Sequence, residues 1–482
     1  MSVLEGLEPK LVWKHFDEIR KIPRCSKHEE KMRKYILSFA KKQGLKAKTD
    51  KAGNVLVEKP ASHGMENKPI VVLQGHMDMV CEKNLDVEHD FSKDPIKIKI
   101  EGDILTADGT TLGADNGIGV AITLAILEDN TLKHGPIEAL FTVDEETGLT
   151  GAFALEPNFM KGRTMLNLDS EDFGIITVGC AGGGDSIITL PVKKQNIEGE
   201  MVFLSLKVAG LRGGHSGVDI HEQRGNAIKL LARILWKIKQ NCDILISDIA
   251  GGDKHNAIPR EATALVAVKK EDKNKLMEIV NSEEKNILNE IKPIDPGFKV
   301  ELNNADKNKT FLDYESTEKT INLLHALPHG VLAISFDIPG LVETSTNLAK
   351  VRVEGEKISI AMSSRSSIKS ALQATRDRIH AIATLVGAEV EEGTPYPGWK
   401  PNLESKLLAV AKEVFKEMYH EDPKVEAVHA GLETGIIGEK FPGMDMISMG
   451  PTIKYPHSPE EQVHISTVEK FYKYVLKLLE NL

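Results

Sequence analysis

The sequence predicts an α/β domain, a mixed sheet flanked by helices, interrupted by an inserted α+β domain. Three observations carry this. Short apolar runs at 71–74, 137–143 and 163–168 alternate with segments of helical periodicity, the pattern of strands buried between helices. A chain of 482 residues exceeds one ordinary core. After Gly182, Gly183 and Gly184 the character changes, and the stretch to about Thr394 carries strands and helices of its own. The expected boundaries are 1–184 for the first part of the α/β domain, 185–394 for the insertion and 395–482 for the return.

Two helices are expected to open the chain. Val12, Phe16 and Ile19 recur at helical spacing, and a second helix, with Ser26 and Glu29 in a capping-box arrangement, carries Met32, Ile36, Phe39 and Ala40 on one face and stops at Gly44. Strands follow at Val55–Val57 and ahead of Gln74. At the other end, Val468, Phe471, Val475 and Leu478 mark a closing helix capped by Ser466 and Glu469.

The strand ends hold the chemistry. In VVLQGHMDMV, His76 and Asp78 lie two residues apart on an extended backbone and point the same way. Taken alone, HxD is short enough to arise by chance. The Gly-rich TADGTTLGADNG then delivers Asp115 to the start of an apolar helix, where a carboxylate meets the positive end of the helix dipole or simply caps the helix. Glu145 and Glu146 follow the strand at 137–143, and as neighbours they point in different directions, which lets one hold a metal and the other move protons. Asp169 ends the next strand. Repetition at successive element ends is what chance does not give. Several carboxylates with few histidines suit zinc or a similar divalent ion, and suggest two ions bridged by one carboxylate.

The inserted segment contains GLRGGHSGVDI, HNAIPR and MSSRSS, which present His215, Asn256 and Arg365. From composition alone, an exposed His, a turn Asn and a solvated Arg are the ordinary accounts. After TPYPGWKPN come HAGLETG and YPHSPEEQVHIS, with His457 between Pro456 and Pro459.

Composition narrows the partners. A net charge of −10 with no basic run excludes a nucleic-acid binder, and no stretch is long and apolar enough for a membrane span. Cys25, Cys81, Cys180 and Cys242 form no CxxC pair, so reduced thiols in a reducing compartment are expected. The N-terminus lacks the apolar core of a signal peptide, which makes a cytoplasmic location the expectation.

GHMDMV, GADNG, DEETGLTGA, NLDSED, GGHSG and PHSPEE, in this order along essentially the whole chain, resemble the co-catalytic zinc peptidases that include carboxypeptidase G, aminoacylase and the aminoacyl-histidine dipeptidases. The long insertion is most similar to that of the dipeptidase branch. The resemblance implies a zinc-exopeptidase-like catalytic domain with a lid and dimerisation domain. It implies two Zn2+ per subunit, with Co2+ or Mn2+ as substitutes: His76 and Asp169 on one, Glu146 and His457 on the other, Asp115 bridging. Asp78 would orient His76, and Glu145 would be the general base. His215, Asn256 and Arg365 would bind substrate carbonyl and carboxylate, and Gly431 would line the pocket through its backbone. The implied activity is hydrolysis, by a zinc-bound hydroxide, of dipeptides with a free C-terminal carboxylate, Xaa-His included. The implied assembly is a homodimer, and the alternatives are an N-acyl amino acid deacylase or an inactive metal-binding scaffold.

Overall fold

The computed structural model describes residues 3–197, 200–306 and 310–482. The chain divides into two compact units: Met1–Gly179 with Trp399–Ala427 and Leu432–Leu482, and Cys180–Gly398 with Val428–Gly431.

The first unit is built on an eight-stranded mixed sheet. Its order is Lys46–Thr49, Val55–Lys59, Ile137–Thr142, Val71–His76, Thr164–Asn167, Asp445–Ser448, Ile175–Cys180, Lys424–Val428. The strands Ile137–Thr142, Val71–His76, Thr164–Asn167 and Asp445–Ser448 run parallel, and the first of them is antiparallel to Val55–Lys59. Parallel strands bring their carboxyl ends to one edge of the sheet, where ligand sites of such sheets lie. His76 ends its strand there, Glu145 follows Thr142 by three residues, and Asp169 follows Asn167 by two.

Helix Ala114–Glu128 is buried on every side from Asn116 to Leu127, as an apolar helix without a polar face must be, and it packs on Lys10–Ile19 and on the strand Val71–His76. Asp115 and Asn116 at its start are not helical, and Asp115 caps nothing. Asn116 instead donates from Nδ2 to the carbonyl of Leu168 at 2.6 Å, pinning the start of the helix to the strand that leads to Asp169. Gly75 permits this approach, because a Cβ there would stand 2.2 Å from Asn116 Oδ1.

The second unit is a nine-stranded sheet of antiparallel pairs, ordered Lys299–Asn304, Met201–Ala209, Ala262–Lys269, Ile244–Gly251, Val342–Glu354, Lys357–Ser366, Gly182–Pro191, Glu389–Glu392, with Gly330–Ile334 also paired to Val342–Glu354. Ile228, Leu231 and Leu235 of the helix Ala227–Lys239, and Ile379 of Lys369–Leu385, share one core with Leu206, Val208, Ile246 and Ile360 of the sheet. Asn226 caps the first of these helices, its side chain accepting from the N–H groups of Ile228 and Lys229.

Three sequence expectations are corrected. Ser26 and Glu29 do not form a capping box: Ser26 Oγ donates to Asp78 Oδ2 at 2.8 Å, and Glu29 Oε1 accepts from the N–H groups of Lys27 and Asp144. Ser466 lies inside the first turn of the closing helix Ile465–Asn481, where its N–H and hydroxyl bond Asp103. In both places a tertiary partner outcompetes the local one. Cys25 and Cys81 are joined in a disulfide, their Cα atoms 5.7 Å apart, because a bridge between Cys25 and Met79 lays the two segments side by side; Cys180 and Cys242 are buried and outside this disulfide.

Candidate functional site

In the first unit the strand ends converge. His76 Nε2 lies 3.1 Å from Asp115 Oδ1 and 3.3 Å from Asp169 Oδ1. His457 Nε2 lies 3.1 Å from Asp115 Oδ2 and 3.0 Å from Glu146 Oε2. Asp115 thus offers one oxygen to each imidazole. Two donors about 2.0–2.1 Å from a tetrahedral ion lie roughly 3.4 Å apart, a little more than the 3.0–3.3 Å between each imidazole and its carboxylates. Glu146 Oε1 is buried with no hydrogen-bond partner, a cost that a cation beside it would remove. The residues therefore fit a pair of divalent ions, one with His76, Asp169 and Asp115, the other with Glu146, His457 and Asp115. Glu145 presents an oxygen within 4.8 Å of donor atoms of His76 and Glu146.

The charge state of the cluster reflects its crowded carboxylates. Burial opposes a charged His76, yet Asp169, Asp115 and Asp78 hold its pKa well above the ordinary value. Hydrogen bonds donated to Asp115 and Glu146 hold His457 up at about 11. Burial raises Asp169 to about 6 and lifts Glu145 well above the usual carboxylate range.

A shell of backbone and side-chain contacts holds these groups. Asp78, fully buried, lies 3.3 Å from His76 Nδ1 and accepts the N–H groups of Glu145 and Glu146. Beneath the strand ends, Glu433 accepts from Gln74 Nε2 at 2.7 Å and Thr142 Oγ1 at 2.6 Å, and Gln74 accepts from Asn167 Nδ2. Burial pushes Glu433 up to about 7.

A model of peptidase family M20/M25/M40 matches residues 72–481. The chain belongs to this family. It is 40% identical over 482 residues to the cytosol non-specific dipeptidase of Escherichia coli (strain K12), covering 100% of this chain and 99% of that protein. Its fold superimposes on the crystal structure of aminoacylhistidine dipeptidase from Vibrio alginolyticus with a TM-score of 0.95 at 42% identity, covering 100% and 98% of the two chains. An aminopeptidase from Bacillus cereus shares the fold alone, at a TM-score of 0.58 and 17% identity over 98% of each chain. Among the described residues no helix of this M20 chain is long and apolar enough to cross a membrane.

The second unit of the M20 chain gathers the remaining expected residues. Arg365, 7% exposed, donates from Nη1 to Tyr396 Oη at 2.8 Å. Gly431 packs on the Tyr396 ring, where a Cβ would stand 2.8 Å from Cε2. His215 Nδ1 accepts the N–H groups of Gly217 and Val218, so its proton resides on Nε2 and the ring presents a donor. Burial, then the Arg365 charge, lowers its pKa. Asn256 is exposed, and its carbonyl accepts from the Ser216 N–H, which ties the HNAIPR loop to the GGHSG loop.

Sequence reasoning missed Arg24, Tyr396, Glu433 and Glu461. Arg24, 2% exposed, donates from Nη1 to the carbonyls of Met77 and Asp78 and from Nη2 to that of Gly113. Such contacts to backbone leave no periodicity or spacing to read. The signal for Glu461 is its place in PHSPEE, four residues beyond His457.

Proposed function

We propose that this M20 peptidase hydrolyses dipeptides carrying a free C-terminal carboxylate, Xaa-His dipeptides among them, with two Zn2+ per subunit and with Co2+ or Mn2+ as substitutes. The observation that carries the reading is Asp115, whose two oxygens each serve a separate imidazole-carboxylate set. Likeness over the full chain to a cytosol non-specific dipeptidase and to an aminoacylhistidine dipeptidase supports the substrate class.

When bound, the two ions lower the pKa of a water and polarise the scissile carbonyl. His76 and Asp169 would hold one ion and Glu146 and His457 the other, with Asp115 offering one oxygen to each set. Asp78 accepts the proton-bearing Nδ1 of His76 and so keeps Nε2 free for the metal. Glu145 takes the proton of the attacking water and delivers it to the leaving amine. Arg365 selects the terminal carboxylate through a charge-assisted hydrogen bond, and Tyr396 fixes the guanidinium. His215 donates its Nε2–H to the carbonyl oxygen, and Asn256 and Gly431 contribute polar contacts from their loops. The active form is a homodimer in the cytoplasm.

The test is a panel of dipeptides, their amides and N-acetyl amino acids, assayed together with metal analysis of the purified protein. Turnover of Xaa-His without release of acetate, at two zinc ions per chain, is expected. Release of acetate alone would replace the reading with a deacylase.

A further inference from the structure

Four residues beyond His457, the chain turns a carboxylate back into the protein. Glu461 is 2% exposed. Its Oε2 accepts the N–H groups of Leu112 at 2.8 Å and Gly113 at 2.9 Å, and its Oε1 those of Ala114 at 2.7 Å and Asp115 at 3.2 Å. Four successive amides on one carboxylate define the path of the loop that delivers Asp115. Gly113, at φ +68°, makes the turn, and a Cβ there would collide with Arg24 and Met79. Arg24 holds the same loop from the other side by donating to the Gly113 carbonyl.

This arrangement joins two segments that are far apart in sequence. Residues 457–461 supply one imidazole of the donor set and, through Glu461, the backbone anchor of the carboxylate shared by both imidazoles. A helix-start loop whose amides were left to water would sample several positions, and Asp115 would then reach one imidazole without the other.

We propose that Glu461 is a positioning residue that sets Asp115 between His76 and His457 before any ion arrives, so that the two ions bind as a coupled pair. The proposal rests on the reading of Asp115 and His457 as metal ligands. Glu461 touches neither substrate nor ion in this account and acts only through the loop.

The test uses the full chain stripped of metal and titrated with zinc ions alone by calorimetry, alongside amide hydrogen exchange of Leu112–Asp115. Glu461→Gln places an NH2 against two of the four donors and removes at least two of the bonds. The expected result is a folded metal-free variant in which those amides lose protection and zinc affinity falls by about 10- to 100-fold, the range for partners of metal ligands. Glu461→Asp keeps the charge, shortens the reach and is read the same way. Zinc affinity within twofold of the unaltered protein in a folded variant overturns the proposal. A variant that folds only when zinc is supplied supports it, and one that stays unfolded at saturating zinc overturns it, because Glu461 is then a folding residue. Asp115→Ala separates the two ideas. If that change leaves zinc binding intact, the ligand reading itself fails; if it abolishes binding while Glu461→Gln does not, only the positioning role fails.

Discussion

Asp78 Oδ1 lies 3.3 Å from His76 Nδ1, and the same carboxylate accepts the N–H groups of Glu145 and Glu146. One buried group therefore lies against an imidazole and holds the DEE turn by two backbone hydrogen bonds. Asp78→Ala is expected to weaken metal binding by about 10- to 100-fold and to lower kcat. Zinc titration of the stripped variant checks the first effect, and steady-state kinetics at saturating zinc checks the second.

Glu145→Gln removes a base and no ligand. The variant is expected to retain both ions while kcat falls by about 10²- to 10⁴-fold. Metal analysis beside kinetics decides it: a Glu145 variant without zinc, next to a Glu146 variant that keeps it, would reverse the two roles.

Arg365→Ala is expected to cost about 2 to 5 kcal/mol in kcat/KM on dipeptides, the range for truncating one side of a buried charge pair. Amidated dipeptides should already be poor substrates of the unaltered enzyme. Equal rates on free and amidated dipeptides would remove the carboxylate argument.

Burial, reinforced by the Arg365 charge, pushes the His429 imidazole down to about 3 from the ordinary 6.5. Between these values the unfolded chain binds a proton that the folded chain refuses, so stability is full above pH 6.5 and declines as the pH falls toward 3. The decline approaches about 1.4 kcal/mol per pH unit. His429→Gln should remove that slope, and urea unfolding of both proteins between about pH 7 and pH 5 measures it. An unchanged difference across that range would show that His429 titrates alike in both states.

If the enzyme is a homodimer in which His215 serves the neighbouring site, two inactive variants should complement. His215→Ala retains the metal residues and Glu145, while Glu145→Ala retains His215. Random mixed assembly should recover roughly a quarter of full activity, since half of the dimers carry one complete site. Mixed dimers isolated with differential tags that stay as inactive as either parent would place His215 in its own subunit.

Most of the candidate cluster was legible because its members sit where a readable element ends, His457 excepted. His76, Asp115, Glu145, Glu146 and Asp169 all follow apolar runs or open an apolar helix, and parallel pairing then gathers those ends at one sheet edge. Contacts made to backbone were not legible. Nothing local marks Arg24 as a donor to three carbonyls, because its acceptors belong to segments 53 and more residues away. The caps failed for a related reason: Ser26 and Ser466 have the local pattern, but Asp78 and Asp103 arrive from elsewhere and take their hydroxyls. The Cys25–Cys81 bond spans 56 residues and rests on the pairing of Cys25 with Met79, which no spacing rule encodes.

The first unit is assembled from three stretches of chain, and Asp445–Ser448 lies between two strands that are made much earlier. On the ribosome this imposes an order. Cys180–Gly398 is continuous and can close its own sheet while the rest of the protein is still being made. The earlier sheet must wait with an open seam. At about 5–20 residues per second, His457 emerges on the order of 20 to 80 seconds after His76. Once Asp169 has been made, the nascent chain carries His76, Asp115, Glu146 and Asp169 without His457, so the cluster is complete only near the end of synthesis.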